Sequence, residues 1–135
     1  MNDVVADTNA IIWHLSDPSQ LTSPAAATLN AAEVSGRIFV ATITLVEMTY
    51  LVEKFRLDPL VLSELWSATR DPLTPVEILA LSIDVADTIR HIPRTLVPDM
   101  PDRIITATAL AHSLPLVTSD GKIRAVTLPG LSVIW

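Results

Sequence analysis

The stretch VVADTNAIIW, residues 4–13, joins a short apolar run, a polar turn and a second apolar run. Val4 and Val5 are β-branched, and this pattern predicts a short buried strand that leads through Asp7 into a helix. In a parallel α/β sheet such a turn lies at the carboxyl end of the strand, where these folds bind ligands. Asp7 is therefore expected to face a crevice, and it is the first candidate site residue.

The rest of the chain alternates short apolar runs with segments of helical periodicity. The pattern predicts strands at 4–6, 37–41, 76–81, 116–118 and 131–134. It predicts helices at 9–14, at 23–34 with Ser23 as the cap, from Thr42 or Thr44 to about 55, from 59 to about 71, at 84–91, and from Pro101 onward. This alternation is typical of the α/β class, and we expect one domain over residues 1–135.

Composition restricts the class of protein and its surroundings. Half of the 135 residues are hydrophobic and 18% are charged, which is typical of a globular protein. The chain contains no cysteine, so disulfides and thiolate chemistry are excluded. It shows neither a basic and apolar leader nor an apolar run of membrane-spanning length. We therefore expect a cytoplasmic protein without a membrane partner.

The formal net charge is −6, whereas nucleic-acid binding usually requires a basic surface. A group of carboxylates that binds divalent cations would contribute to this negative total and be neutralised by the ions. The net charge therefore does not exclude a nucleic-acid substrate.

Four acidic residues from separate segments are expected to meet at one edge of the sheet. Asp7 and Asp120 each follow a predicted strand, and the carboxyl ends of parallel strands share one edge. Glu47 and Asp102 lie in the first turns of two predicted helices, which begin at the same edge. The candidate site therefore consists of Asp7, Glu47, Asp102 and Asp120.

Four neighbouring carboxylates repel one another, which raises the pKa of some of them unless cations are bound. Mg²⁺ and Mn²⁺ prefer oxygen ligands, and the absence of cysteine and of clustered histidine disfavours zinc. Such ions polarise a phosphodiester, lower the pKa of a bound water and stabilise the leaving oxygen. Such a metal site is therefore suited to hydrolysis of a phosphodiester.

Each acid by itself also has an ordinary structural interpretation. Asp7 suits a helix N-cap, and Asp120 followed by Gly121 suits a turn. Glu47 and Asp102 would each be stabilised by a helix dipole. Only their joint placement favours a site over four separate structural roles.

Other residues are expected to serve the core or the surface. The predicted third helix carries its apolar face on Leu45, Met48, Leu51, Val52 and Phe55. The tryptophans at 13, 66 and 135 are interpreted as packing anchors. Lys54, Arg56 and Arg70 are interpreted as solvated helix charges, with a phosphate-binding patch as the alternative.

Three segments together resemble the PIN-domain family, and within it the VapC-type toxins of bacterial toxin–antitoxin pairs. They are VVADTNAIIWHLSDPSQLTSPAAATLNAA with Asp7, TLVEMTYLVEKFRL with Glu47, and PDRIITATALAHSLPLVTSD with Asp102 and Asp120. The resemblance covers nearly the whole chain. Two departures are Asn9, where the family often has serine, and Asp99-Met100-Pro101 in place of Asp-Pro-Phe. Neither replaces a ligand, and Asp99 is interpreted as a helix cap or an outer-sphere acid.

The resemblance implies a PIN-like fold with a central parallel sheet of about five strands flanked by helices. It implies an endoribonuclease dependent on Mg²⁺ or Mn²⁺, an RNA substrate, an inhibitory antitoxin protein and a homodimer. Asp7 and Asp102 would be the principal metal ligands, and Glu47 and Asp120 would complete the site. Arg103 would contact phosphate or form a surface salt bridge.

Two other functions stay open at this stage. A PIN-like module could bind RNA or a protein partner without cutting, and intact acids disfavour this alternative. A haloacid-dehalogenase-like phosphatase would need a second acid where Asn9 stands and a suitably placed lysine.

Overall fold

The computed structural model describes residues 2–135, in which strands and helices alternate along the chain. The strands are β1 (Val4–Ala6), β2 (Ile38–Ala41), β3 (Val76–Leu79), β4 (Leu116–Val117) and β5 (Val133–Ile134). The helices are α1 (Thr8–Ser16), α2 (Ser23–Ser35), α3 (Thr42–Glu53), α4 (Pro59–Arg70), α5 (Ile83–Thr88), α6 (Met100–Ala111) and α7 (Gly121–Ala125). Short 3₁₀ turns occupy Pro18–Gln20 and Ile89–His91.

All five strands pair in parallel in the order β3-β2-β1-β4-β5, with β1 at the centre. Val5 of β1 lies opposite Phe39 of β2 on one side and Leu116 of β4 on the other. Because the strands are parallel, α1, α3 and α7 all begin at the same edge of the sheet. The predicted α/β class, with five strands flanked by helices, is confirmed.

The core consists of two apolar layers, one on each face of the sheet. Successive side chains of β1 alternate between the layers, as the period of a strand requires. Val4 and Ala6 belong to one layer, and Val5 belongs to the other. Trp13 and Trp135 contact each other in the first layer, with ring centroids 5.7 Å apart. Burial on both faces fixes β1, and therefore fixes the position of Asp7 directly after it.

Two predicted helix caps are wrong. The cap of α2 is Thr22 rather than Ser23, because the Thr22 hydroxyl accepts a hydrogen bond from the amide of Ala25 at 3.3 Å. No side chain caps α3, since β2 continues directly into this helix. The Thr42 hydroxyl instead donates to the carbonyl oxygen of Leu79 and ties α3 to β3.

The end of α3 also differs from the prediction. The helix ends at Glu53, and Phe55 is 97% exposed, so it is no part of the apolar face. Phe55 has a φ of 58°, in the left-handed region. Its amide donates to the carbonyl of Val52 at 3.0 Å, and the amide of Arg56 donates to Leu51 at 2.8 Å. This is a Schellman ending, in which glycine is the usual left-handed residue.

Three smaller features were not anticipated from the sequence. The short helix α7 follows Asp120 directly, whereas the sequence predicted only a turn there. Trp66 is 41% exposed, so Trp66 is not the packing anchor that the sequence predicted. The guanidinium of Arg70 lies 5.5 Å from the centroid of the Trp66 ring. Strand β3 ends at Leu79, two residues before the predicted end.

Across residues 2–135, every helix is too short or too polar to cross a membrane.

Candidate active site

All four predicted acids line one open cavity of about 440 Å³ at the carboxyl edge of the sheet. The other lining residues are Thr8, Asn9, Tyr50, Leu51, Lys54, Asp99 and Pro101. The predicted convergence of acids from four segments is therefore present in the structure.

Asp7 is almost completely buried, with 4% of its surface exposed. Its Oδ1 accepts a hydrogen bond from the amide of Ala10 at 2.8 Å, and its Oδ2 accepts one from the hydroxyl of Thr118. Asp7 therefore caps α1, as the structural interpretation proposed, and also lines the cavity. Burial raises the pKa of Asp7 above its ordinary value, although both hydrogen bonds oppose that effect.

Thr118 connects two of the acids. Its hydroxyl donates to Asp7 and accepts a hydrogen bond from the amide of Asp120 at 3.0 Å. Asp120 in turn caps α7, since its Oδ1 accepts from the amides of Lys122 and Ile123 at 2.9 Å each. The end of β4 and the start of α7 are thus tied to β1 through one buried hydroxyl.

Glu47 lies in the second turn of α3, one turn later than predicted. The hydroxyl of Thr8 donates to its Oε1 at 2.6 Å, and the hydroxyl of Thr44 lies 3.1 Å from Thr8 Oγ1. Burial raises the pKa of Glu47, and the charges of Asp99 and Asp7 add to this effect. Sequence periodicity could not find the threonine contacts, because they join α1 to α3 through tertiary packing.

Asp102 lies in the first turn of α6, as predicted, and its pKa is raised most clearly. Burial raises this pKa to about 7, with further contributions from the charges of Asp120 and Asp99. Asp99 caps α6 by accepting a hydrogen bond from the Asp102 amide at 3.4 Å, and it is a fifth acid in the cavity. Its spacing of three residues before Asp102 is the cap signal that the sequence did contain.

The chemistry of these side chains suits a hard divalent cation. The acids of the cavity offer carboxylate oxygens, and burial and mutual repulsion raise the pKa of three of them. Within the described residues, however, no three Asp, Glu or His side chains converge closely enough to form a ligand set for one ion. The acids therefore share a cavity, and their roles as ligands are a proposal.

Among residues 2–135, Arg103 neither lines the cavity nor takes part in an ion pair, so neither predicted contact is present. Its Nε donates to the carbonyl of Ile92 at 2.9 Å, and a terminal nitrogen donates to the carbonyl of Ile89 at 3.1 Å. The side chain therefore stabilises the turn after α5 instead of contacting phosphate.

A parallel sheet with acids from four segments at its carboxyl edge is what the resemblance to the PIN-domain family implies. The model of the PIN domain family matches residues 4–128, and the chain belongs to this family. The predicted resemblance is confirmed, and it removes the haloacid-dehalogenase alternative.

Individual relatives are VapC-type proteins and toxin–antitoxin complexes. The chain is 27% identical to Ribonuclease VapC22 of Mycobacterium tuberculosis over 135 residues, which span the full length of both proteins. It superposes with a TM-score of 0.71 and 19% identity on the crystal structure of VapBC2 from Rickettsia felis bound to a promoter DNA fragment, covering 97% and 96% of the two chains. A toxin–antitoxin complex from Klebsiella pneumoniae gives a TM-score of 0.60 and 26% identity, covering 95% and 94%.

Proposed function

We propose that this protein is an endoribonuclease that hydrolyses RNA phosphodiester bonds and is the VapC-type toxin of a toxin–antitoxin pair. The observation that carries the proposal is the single cavity lined by Asp7, Glu47, Asp102 and Asp120 in a PIN-domain chain. Similarity over the full length of a named VapC ribonuclease supports the choice of RNA as substrate.

Asp7, Glu47, Asp102 and Asp120 would hold Mg²⁺ or Mn²⁺. When bound, the ion supplies Lewis-acid polarisation of the scissile phosphate and activation of the attacking water. Mg²⁺ and Mn²⁺ are both proposed, because both ions prefer oxygen ligands in octahedral geometry.

Three neighbouring residues orient the acids. Thr118 holds Asp7 by its hydroxyl, and Thr8 does the same for Glu47. Asp99 fixes the first turn of α6 and therefore the backbone of Asp102. These contacts keep the acids on the wall of the cavity, where a bound cation would draw their carboxylate oxygens together.

We further propose an antitoxin partner, a homodimer and a cytoplasmic location. The antitoxin is supported by the similarity in fold to the toxin–antitoxin complex from Klebsiella pneumoniae. A cytoplasmic location is consistent with an RNA substrate and with a chain free of cysteine.

Partner-free protein is expected to cleave RNA with Mg²⁺ or Mn²⁺ and to be inactive in EDTA. Asp7→Asn keeps a cap for α1 but removes a negative ligand, so it should be inactive in both conditions. Total bacterial RNA separated on a denaturing gel provides the readout, and Asp84→Asn, an exposed acid on α5, is the matched control. Metal-dependent binding of RNA without cutting would favour the non-catalytic module instead. Cleavage that persists in Asp7→Asn would contradict the proposed site.

A further inference from the structure

The chain carries an exposed aromatic residue at a position where its own fold favours glycine. Phe55 is 97% exposed and has a left-handed backbone with a φ of 58°. Left-handed backbone is unfavourable for a residue with a Cβ, and glycine has no such cost. Helix α6 ends with the same pattern of hydrogen bonds, but there the left-handed residue is the small polar Ser113. Packing therefore gives no reason for a phenylalanine at position 55.

Phe55 adjoins the wall of the acidic cavity. Lys54, the preceding residue, lines this cavity together with the four acids. Tyr50 lies one helical turn earlier on α3, lines the same cavity and is 59% exposed. The end of α3 therefore places the Tyr50 ring and the Lys54 cation at the candidate active site, and Phe55 is the next residue along the chain.

Two cations, Lys54 and Arg56, flank Phe55 in the sequence. None of the ion pairs formed within residues 2–135 involves Lys54 or Arg56. In a chain of net charge −6, both side chains thus remain available for an external anion. Two exposed aromatic residues and two cations within seven residues of the chain suit a ligand with alternating flat bases and phosphates.

We propose that Tyr50, Lys54, Phe55 and Arg56, here called the α3 arm, bind single-stranded RNA beside the scissile phosphate. The inference rests on the proposed ribonuclease function and specifies how its substrate is held. Phe55 and Tyr50 stack on bases, while Lys54 and Arg56 contact the adjoining phosphates. Phosphates are repelled by the carboxylates of the cavity, so the cations of the arm supply attraction where the RNA enters.

Phe55→Gly is the sharpest test, because glycine retains the helix ending and removes only the ring. In an Asp7→Asn background that prevents cleavage, we expect the Kd for single-stranded RNA to rise about 5- to 100-fold. The probe is a fluorescein-labelled 12-nucleotide RNA of randomised sequence with Mg²⁺, followed by anisotropy. The melting temperature should stay the same or increase. Val34→Ala, which removes an exposed apolar side chain from α2, should leave the Kd unchanged.

The charged residues of the arm are tested by the salt dependence of the same binding. Lys54→Gln and Arg56→Gln should each weaken binding and reduce the slope of log K against log salt by about 0.7. Arg37→Gln is the matched control, since Arg37 precedes β2 at the opposite edge of the sheet. It should leave the slope unchanged.

The outcomes separate the arm from the function on which it rests. If the unsubstituted protein cleaves no RNA and the Asp7→Asn protein binds none, the proposed function fails. If the unsubstituted protein cleaves RNA while Phe55→Gly leaves the Kd unchanged, the α3 arm alone is wrong. The alternative is that Phe55 contacts another protein chain. Sedimentation of the unsubstituted protein and of Phe55→Gly measures their oligomeric states and tests this alternative. A change of oligomeric state in Phe55→Gly with an unchanged Kd for RNA would also overturn the proposal.

Discussion

Asp102→Asn is expected to reduce metal-dependent RNA cleavage at least about 100-fold while leaving the protein folded. Asp102 lines the cavity from the first turn of α6, and asparagine keeps its shape but removes the charge that a divalent cation requires. Cleavage rates at saturating Mg²⁺ measure the effect. Asp84→Asn removes an acid from the first turn of α5 outside the cavity, and its rate should be unchanged.

The same two variants should differ in their effect on stability when metal is removed with EDTA. Asp102→Asn removes the cost of burying a charge and relieves repulsion from Asp120 and Asp99, so its melting temperature at pH 8 should rise by about 3–6 °C. Asp84→Asn loses a favourable interaction with a helix dipole, so its melting temperature should stay the same or fall slightly. A large drop for Asp102→Asn would mean that this acid is a structural element of α6.

The higher melting temperature expected for Asp102→Asn should depend on pH, because the pKa of Asp102 is raised in the folded protein. Folding raises the pKa from 3.8 to about 7, so the folded state binds more protons than the unfolded state between these values. The unsubstituted protein therefore loses stability from this group as pH rises through that window. The advantage of Asp102→Asn should be absent near pH 4 and complete above pH 7. Thermal melts over this range in EDTA measure it.

Mg²⁺ is expected to raise the melting temperature of the unsubstituted protein, and to do so more at pH 8 than at pH 5. A ligand present at about 100 times its Kd stabilises the folded state by about 2.7 kcal/mol. The pKa values of Asp7, Glu47 and Asp102 are all raised, so protons compete with the cation as pH falls. Thermal melts with Mg²⁺ and with EDTA at both pH values measure the difference.

Two variants define the source of this stabilisation. Asp102→Asn should lose most of the Mg²⁺-dependent shift, because it removes a carboxylate from the cavity. Asp84→Asn should retain the shift, because the cavity is intact. An equal shift in both variants would place the cation elsewhere on the protein and contradict the account.

The fold was readable from sequence because its strongest signals are local. β1 is a buried β-branched run, and the helices α2, α4 and α6 each carry a proline in their first turn. The alternation of these elements limits the chain to a parallel sheet with helices on both faces. The positions of Asp7 and Asp120 follow from that architecture, since Asp7 comes directly after β1 and Asp120 comes three residues after the end of β4.

The features that sequence missed depend on tertiary contacts. The hydroxyls of Thr8 and Thr118 orient Glu47 and Asp7 across separate elements, and no local pattern marks such pairs. Thr42 resembled a helix cap, but its hydroxyl donates a hydrogen bond to the carbonyl oxygen of Leu79 in a neighbouring strand. Phe55 matched the helical period of α3, yet the helix ends before it. Periodicity shows which residues share a face and does not show where a helix ends.

We propose that acids from four segments form one divalent-cation site. The most direct test is a crystal of the full chain soaked in Mn²⁺, with diffraction data collected near the manganese absorption edge. We predict an anomalous peak inside the cavity, within ligand distance of carboxylate oxygens that include those of Asp7 and Asp102. A map with no peak there, from a crystal shown to take up manganese elsewhere, would contradict the account.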